Sequence, residues 1–146
     1  MDPTEYHHVV GALQYCTISQ PGIAYAVNQL CQFMHSPREP HWVVAKRVLR
    51  YLKGTIDYGL YFSLDDINLH AYCDSDWARN PDDRRSTTGY GIFIGPNLIT
   101  WIAKKQPIVS KSRTEIEYRN IAIVTADLYW IMMLIKELGV QLYLHQ

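Results

Sequence analysis

Three segments of helical spacing, a glycine-marked hairpin and one long capped apolar stripe follow one another along the chain and together predict an α+β fold. The first helix opens at Asp2-Pro3-Thr4-Glu5, with proline near the first turn and acids that complement the helix dipole. Val9, Val10, Leu13, Cys16 and Thr17 continue it at helical spacing. Pro21-Gly22 is a break, and a second helix is predicted from Ile23 to about Met34, with Ile23, Val27, Leu30 and Met34 on one face. Ser36-Pro37 stops it. A third helix is predicted over Glu39–Lys53, ending at Gly54. Its Trp42, Ala45, Val48, Leu49 and Leu52 are apolar, and its Lys46, Arg47, Arg50 and Lys53 are basic.

From residue 55 the pattern changes. Leu60-Tyr61-Phe62 is a short strand candidate, and Leu69–Asp74 is rich in strand formers. Ala78–Thr87 reads as a polar loop. Tyr90–Ile94 and Leu98–Ala103 are two strands joined through Gly95-Pro96-Asn97, and Pro107 closes the strand region. Ser112-x-x-Glu115 and Thr114-x-x-Glu117 are overlapping capping boxes that open a long helix, and Gly139 terminates it. Ile121, Val124, Leu128, Ile131, Ile135 and Leu138 give that helix a stripe predicted to be buried. Val140–Gln146 could add one short strand.

Composition narrows the function. Hydrophobic residues make up 48% of the 146 and charged residues 19%, enough apolar material for a core and too much for wholesale disorder. Lys+Arg and Asp+Glu are both 14, and a net charge of zero disfavours a protein that works mainly through phosphate contacts. Cys16, Cys31 and Cys73 are odd in number and widely spaced, which predicts free thiols in a reducing intracellular compartment. Nucleus, cytosol and organelle satisfy that condition equally. The longest apolar run, Leu128–Ile135, is far short of the roughly 20 residues of a membrane span. The N-terminus has neither the apolar stretch of a signal peptide nor the early arginines of a transit peptide.

Few residues can carry chemistry. Four positions before Ile121 stands Glu117, so the predicted stripe begins with a carboxylate. A first-turn acid that complements the dipole explains it equally well. Asp74-Ser75-Asp76-Trp77 ends a strand, where carboxylates are common turn residues. Asp74 shares strand parity with His70 and Tyr72. If the long helix crosses the strands, Asp74 and Glu117 could converge and begin a Mg²⁺ site. Two-metal phosphodiester hydrolysis needs more acids than two. Arg84, Arg85, Lys104, Lys105 and Lys111, with Trp77 and Trp101 nearby, could contact phosphates. A solvated loop in which Asp82 and Asp83 balance the arginines is the alternative. His7-His8 reads as exposed helix surface, and neither a Gly-rich phosphate loop nor a Gly-x-Ser-x-Gly elbow is present.

At these residues the sequence resembles the C-terminal part of the polyprotein of Ty1/copia-type LTR retrotransposons, which are abundant in plants. The matching segments begin with Val9-Val10-Gly11-Ala12-Leu13-Gln14-Tyr15 and Val48-Leu49-Arg50-Tyr51-Leu52-Lys53-Gly54-Thr55. Asp74-Ser75-Asp76-Trp77-Ala78, Asp83-Arg84-Arg85-Ser86-Thr87 and Gly89-Tyr90 follow. Trp101 with Lys104-Lys105-Gln106-Pro107 and Thr114-Glu115-Ile116-Glu117-Tyr118-Arg119 complete the set. The resemblance implies that residues 1–66 are a helical reverse-transcriptase thumb or connection segment. It implies that residues 67–146 are a truncated RNase H-like domain, an antiparallel or mixed sheet packed by one long helix. The family cuts the RNA strand of RNA–DNA hybrids with four carboxylates and two Mg²⁺. Its first two acids map to Asp74 and Glu117. Its third maps to the segment Leu142-Tyr143-Leu144-His145-Gln146, which puts His145 at the position of an Asp. The fourth acid has no counterpart.

The expectation is therefore a retrotransposon-derived, catalytically inactive protein that works through protein–protein interaction. Its partner would be another protein or a second copy, met through an exposed sheet edge. No cofactor is expected. The alternative is a Mg²⁺-dependent RNase H whose site a partner chain completes, or residual nucleic-acid binding through the basic residues.

Overall fold

The computed structural model describes residues 2–65, 67–78 and 83–140. They fall into two compact units, Met1–Leu60 and Tyr61–Gln146.

The first unit is helical: α1 (Pro3–Cys16), a 3₁₀ turn (Pro21–Ile23), α2 (Ala24–Cys31) and α3 (Glu39–Gly54). Asp2 caps α1 by accepting from the Thr4 N–H at 2.9 Å, and Pro3 takes the position where a missing donor costs nothing. Pro21-Gly22 starts a turn that runs directly into α2, so it is an entry and not a gap. That helix ends at Cys31, before the predicted Met34. Residues 32–34 instead bond to carbonyls three positions back, the tighter winding common at helix ends. Tyr6, Val10 and Leu13 of α1 pack with Ile23, Val27 and Leu30, and with Trp42, Ala45 and Val48 of α3. The Tyr6 hydroxyl donates to the Leu30 carbonyl at 2.8 Å, which satisfies the polar end of a fully buried ring. Leu49, one of the apolar residues of α3, is exposed, because α3 turns Ala45 and Val48 to the core. His7 is tied by its Nε2 to the Met34 carbonyl at 2.7 Å.

The second unit is a three-stranded antiparallel sheet, β1 (Leu69–Asp76), β2 (Thr87–Ile94) and β3 (Asn97–Lys105), in the order β1-β2-β3 with α4 (Arg113–Glu137) packed on it. Among the described residues β1 and β3 are therefore the sheet edges. Gly95, at φ 54°, supplies the positive φ that a two-residue hairpin loop needs at its first position. The predicted strand at residues 60–62 does not form. The neighbouring Ser63 N–H and carbonyl are both taken by the Asn97 side chain, at 2.8 and 2.9 Å, and Tyr61 and Phe62 stand exposed. The Ala78–Thr87 loop predicted as polar gives its last residue to β2, and β3 runs on to Lys105.

One face of the sheet carries Leu69, Ala71 and Ser75 of β1 with Tyr90, Ile92 and Ile94 of β2. Val124, Leu128, Ile131 and Ile135 of α4 cover its apolar part. Ser112 caps α4 by accepting from the Glu115 N–H at 3.1 Å. Gly139, at φ 75°, ends it, and the Val140 N–H returns to the Ile135 carbonyl at 3.2 Å. The strand predicted over Val140–Gln146 lies, past Val140, outside the described residues. The three cysteines are free thiols, and no described helix is long and apolar enough to cross a membrane.

The start of α3 carries a pH dependence. The Arg38 N–H donates to His41 Nδ1 at 3.0 Å, so the imidazole must keep a bare nitrogen there. Burial, and then the Arg38 charge, lowers the pKa of His41 below its ordinary 6.5. The unfolded chain thus takes up this proton at a higher pH than the folded one. The contribution is complete above the unfolded value and is lost as pH falls through the folded one. Melting followed between about pH 7.5 and pH 5 should show the first unit becoming less stable as the pH falls, and His41→Gln, which keeps an acceptor, should flatten that slope.

Candidate functional site

The carboxyl end of β1 and the first turns of α4 meet through one side chain. Asn120 is buried, and its Nδ2 donates to the Asp74 carbonyl at 2.8 Å, the Ser75 hydroxyl at 3.0 Å and the Gly89 carbonyl at 3.3 Å. Two hydrogens shared among three acceptors bind α4 to both β1 and β2. This contact brings the two elements that carry Asp74 and Glu117 together.

The carboxylates themselves point elsewhere. Ser75 faces α4, so strand alternation puts the exposed Asp74 side chain on the opposite face, next to Gly89 across the strand pair. Asp74 Oδ1 accepts from the Ser75 N–H at 2.8 Å. Glu117 is not on the buried stripe. The buried positions of α4 are Ile116, Asn120, Val124, Ile131 and Ile135; of the predicted stripe Val124, Leu128, Ile131 and Ile135 pack on the sheet, whereas Ile121 is 50% exposed. Glu117 is exposed and pairs with Arg113 at 2.9 Å, one helical turn back. Leu138, predicted to end the stripe, is also exposed. His145 lies outside the described residues.

Magnesium ions at such a place would need a dense set of oxygen ligands. The residues present do not fit a two-ion site. One Glu117 oxygen meets a guanidinium, one Asp74 oxygen meets an amide, and two carboxylates leave half of four positive charges uncompensated. Among the described residues no group of three or more His, Cys, Asp or Glu is placed to hold a metal ion.

The basic residues do not form one patch. Lys104 and Lys105 pair with Thr88 and Thr87, so alternation sends their side chains to opposite faces of β3. Lys105 Nζ lies 2.7 Å from Asp83, and Arg85 Nε is 3.7 Å from the same carboxylate. Lys105 foremost, and then the Arg85 N–H, hold the Asp83 carboxyl below its ordinary range. Arg84 sits at positive φ in the loop, and the Lys111 N–H is given to Glu115 at 2.8 Å. That bond and the Arg119 guanidinium keep Glu115 likewise low. Trp77 is fixed by donating its indole N–H to the Ser110 carbonyl at 3.1 Å.

Two structural residues have no place in the sequence-based site. One is Asn120, which the helical pattern could have revealed by stepping back four from Val124. The other is Asp127, which accepts from the Tyr90 hydroxyl between α4 and β2. Burial, and then Asp127, push the Tyr90 pKa well above its ordinary 10.

Comparison with known proteins gives the chain relatives. The chain is 49% identical over 142 residues to the retrovirus-related Pol polyprotein from transposon RE2 of Arabidopsis thaliana, which covers 97% of the chain and 10% of the polyprotein. It is 39% identical over 133 residues to a secreted RxLR effector protein of Plasmopara viticola, covering 90% of the chain and 94% of that protein. The chain belongs to the Ty1/copia-type retrotransposon Pol family. An uncharacterized mitochondrial protein of Arabidopsis thaliana is a further relative, 52% identical over 130 residues, 88% of the chain and 54% of its own length. This Pol family member thus spans about a tenth of the RE2 polyprotein. No family model matches the chain, and no solved structure matches it.

Replacing Asn120 by Ala in this Pol family chain leaves two strand-end carbonyls short of a donor. The second unit should lose about 1–3 kcal/mol in a denaturant titration, whereas the exposed Glu117→Gln should change stability little.

Proposed function

We propose that this chain is a retrotransposon-derived interaction protein whose second unit is RNase H-like in ancestry and does not cleave nucleic acid by itself. The observation that carries the proposal is the outward side of α4. Between Arg119 and Lys136 its exposed positions include Ile121, Ile123, Tyr129, Trp130, Met133 and Leu134. Soluble surfaces seldom leave so contiguous an apolar face open unless another molecule covers it. The orientation of the acids supports the same reading, because the Glu117 carboxylate is committed to Arg113 and the Asp74 side chain lies on the sheet face away from α4. The Plasmopara relative, of which this chain covers 94%, is described as an effector and not as a polyprotein.

Nucleic-acid binding has weaker support. Asp83 offsets two of the five basic residues, and strand alternation separates Lys104 from Lys105.

A labelled RNA–DNA hybrid incubated with the chain and Mg²⁺ should remain intact over a range in which an active RNase H digests it. Cleavage by the wild type that Asp74→Asn abolishes would refute the proposal. Binding to the same hybrid should be weak and should show no steep decline with salt, the signature of true phosphate contacts.

A further inference from the structure

We infer that α4 pairs with the α4 of a second copy of this chain, antiparallel, through its outward face; this rests on the proposed role as an interaction protein and names its partner. The face follows from helix geometry. Ile116, Asn120, Val124, Ile131 and Ile135 turn inward, so Ala122, Ala126, Tyr129 and Met133 turn outward, with Ile123, Trp130 and Leu134 along one flank. Tyr129 and Trp130 are 60% and 63% exposed and Met133 is 49% exposed. Asp127 is the one acid or base between Arg119 and Lys136, and Tyr90 draws it inward. A helix apolar on every side is normally enclosed, and the sheet encloses only one side of this one.

A second copy fits this face in size and in charge. Arg119 and Glu137 lie about five turns apart, which places them on the same line of the helix surface. An antiparallel pair with its two-fold axis at the level of Leu128 sets Arg119 of each copy against Glu137 of the other. The same register sets Ala126 against Trp130 and Ala122 against Leu134. At these two levels small residues receive large ones, the interdigitation that lets helices approach closely. Two hydrogen bonds of Arg119 go to Glu115, and a guanidinium with five donors can serve a second carboxylate as well. The chain carries no net charge, so two copies meet without overall repulsion. Such a contact is isologous and closes on itself, which limits assembly to a dimer.

Sedimentation equilibrium on the full chain tests this directly. The expected mass at micromolar loading is twice the 17.0 kDa of the chain. Trp130→Glu, at an exposed position, should weaken the dimer about tenfold or more while leaving the circular dichroism melt of the monomer unchanged. Arg119→Glu alone should also weaken it, and adding Glu137→Arg should restore it. A wild-type monomer overturns the inference, as does a dimer indifferent to Trp130→Glu. A dimer that the paired charge reversal fails to rescue overturns the antiparallel register. A monomer that cuts no hybrid sinks self-association alone, whereas Mg²⁺-dependent cleavage lost in Asp74→Asn sinks the functional proposal whatever the mass.

Discussion

Asn120 carries its amide into the layer between α4 and the sheet, where a buried polar group is tolerated only if it finds partners. Its partners are the carbonyls of Asp74 and Gly89 and the hydroxyl of Ser75, all at one end of the β1–β2 pair. With the helix so rotated, Val124, Ile131 and Ile135 fall on Ile92 and Tyr90, and Asp127 comes under the Tyr90 hydroxyl. The polar node and the apolar stripe therefore specify the same orientation, the consistency across levels that marks a unique fold. Everything else on α4 takes its exposure from that choice.

The fate of the two conspicuous acids follows from the same rotation. Glu117 lies one turn before Asn120 and some 60° around the helix, far enough to leave the interface. Released from the sheet, it pairs with Arg113 along the helix surface, an interaction worth only a few tenths of a kcal/mol. Asp74 is held by its backbone, and its side chain alternates away from the helix. A site that brought both carboxylates to one metal would need a more concentrated ligand set than these two elements supply. The half-buried acids Asp83 and Glu115 are likewise held in local pairs, Asp83 by Lys105 and Glu115 by the Lys111 N–H and Arg119.

Much of the architecture was legible in the residues. Helix starts at Asp2 and Ser112, the stop at Gly139 and the hairpin at Gly95 are local signals, and local chemistry decides them, whereas Gly54 is still helical and Thr55 is the C-cap of α3. The phase of α4 was legible from Val124 to Ile135, but its first turns were not, because isoleucine stands at both 116 and 121 and either could begin the buried stripe. The deciding partners are backbone carbonyls of β1 and β2, contributed from 31 to 46 residues away and invisible to periodicity. Leu60-Tyr61-Phe62 misled for a similar reason. Its residues favour strands, but the adjoining Ser63 backbone groups bond to the amide of Asn97, 34 residues on. The basic pairs were read as neighbours in sequence, whereas a strand separates adjacent residues onto opposite faces.

The exposed side of α4 raises a problem that the rest of the fold leaves open. A single helix on one face of a three-stranded sheet can bury only one stripe, and this sheet is already served by Val124, Leu128, Ile131 and Ile135. If the outward residues had only to keep the helix soluble, lysine and glutamate would serve at Ala122, Ala126, Tyr129 and Met133 with equal helix propensity. They are instead two small and two large apolar residues. That pattern contributes nothing to the packing of the second unit itself. It gains stability only when a surface of matching relief removes it from water, and bound partner then stabilises the folded state by mass action. One face of α4 thus builds the unit, and the other stands exposed and apolar.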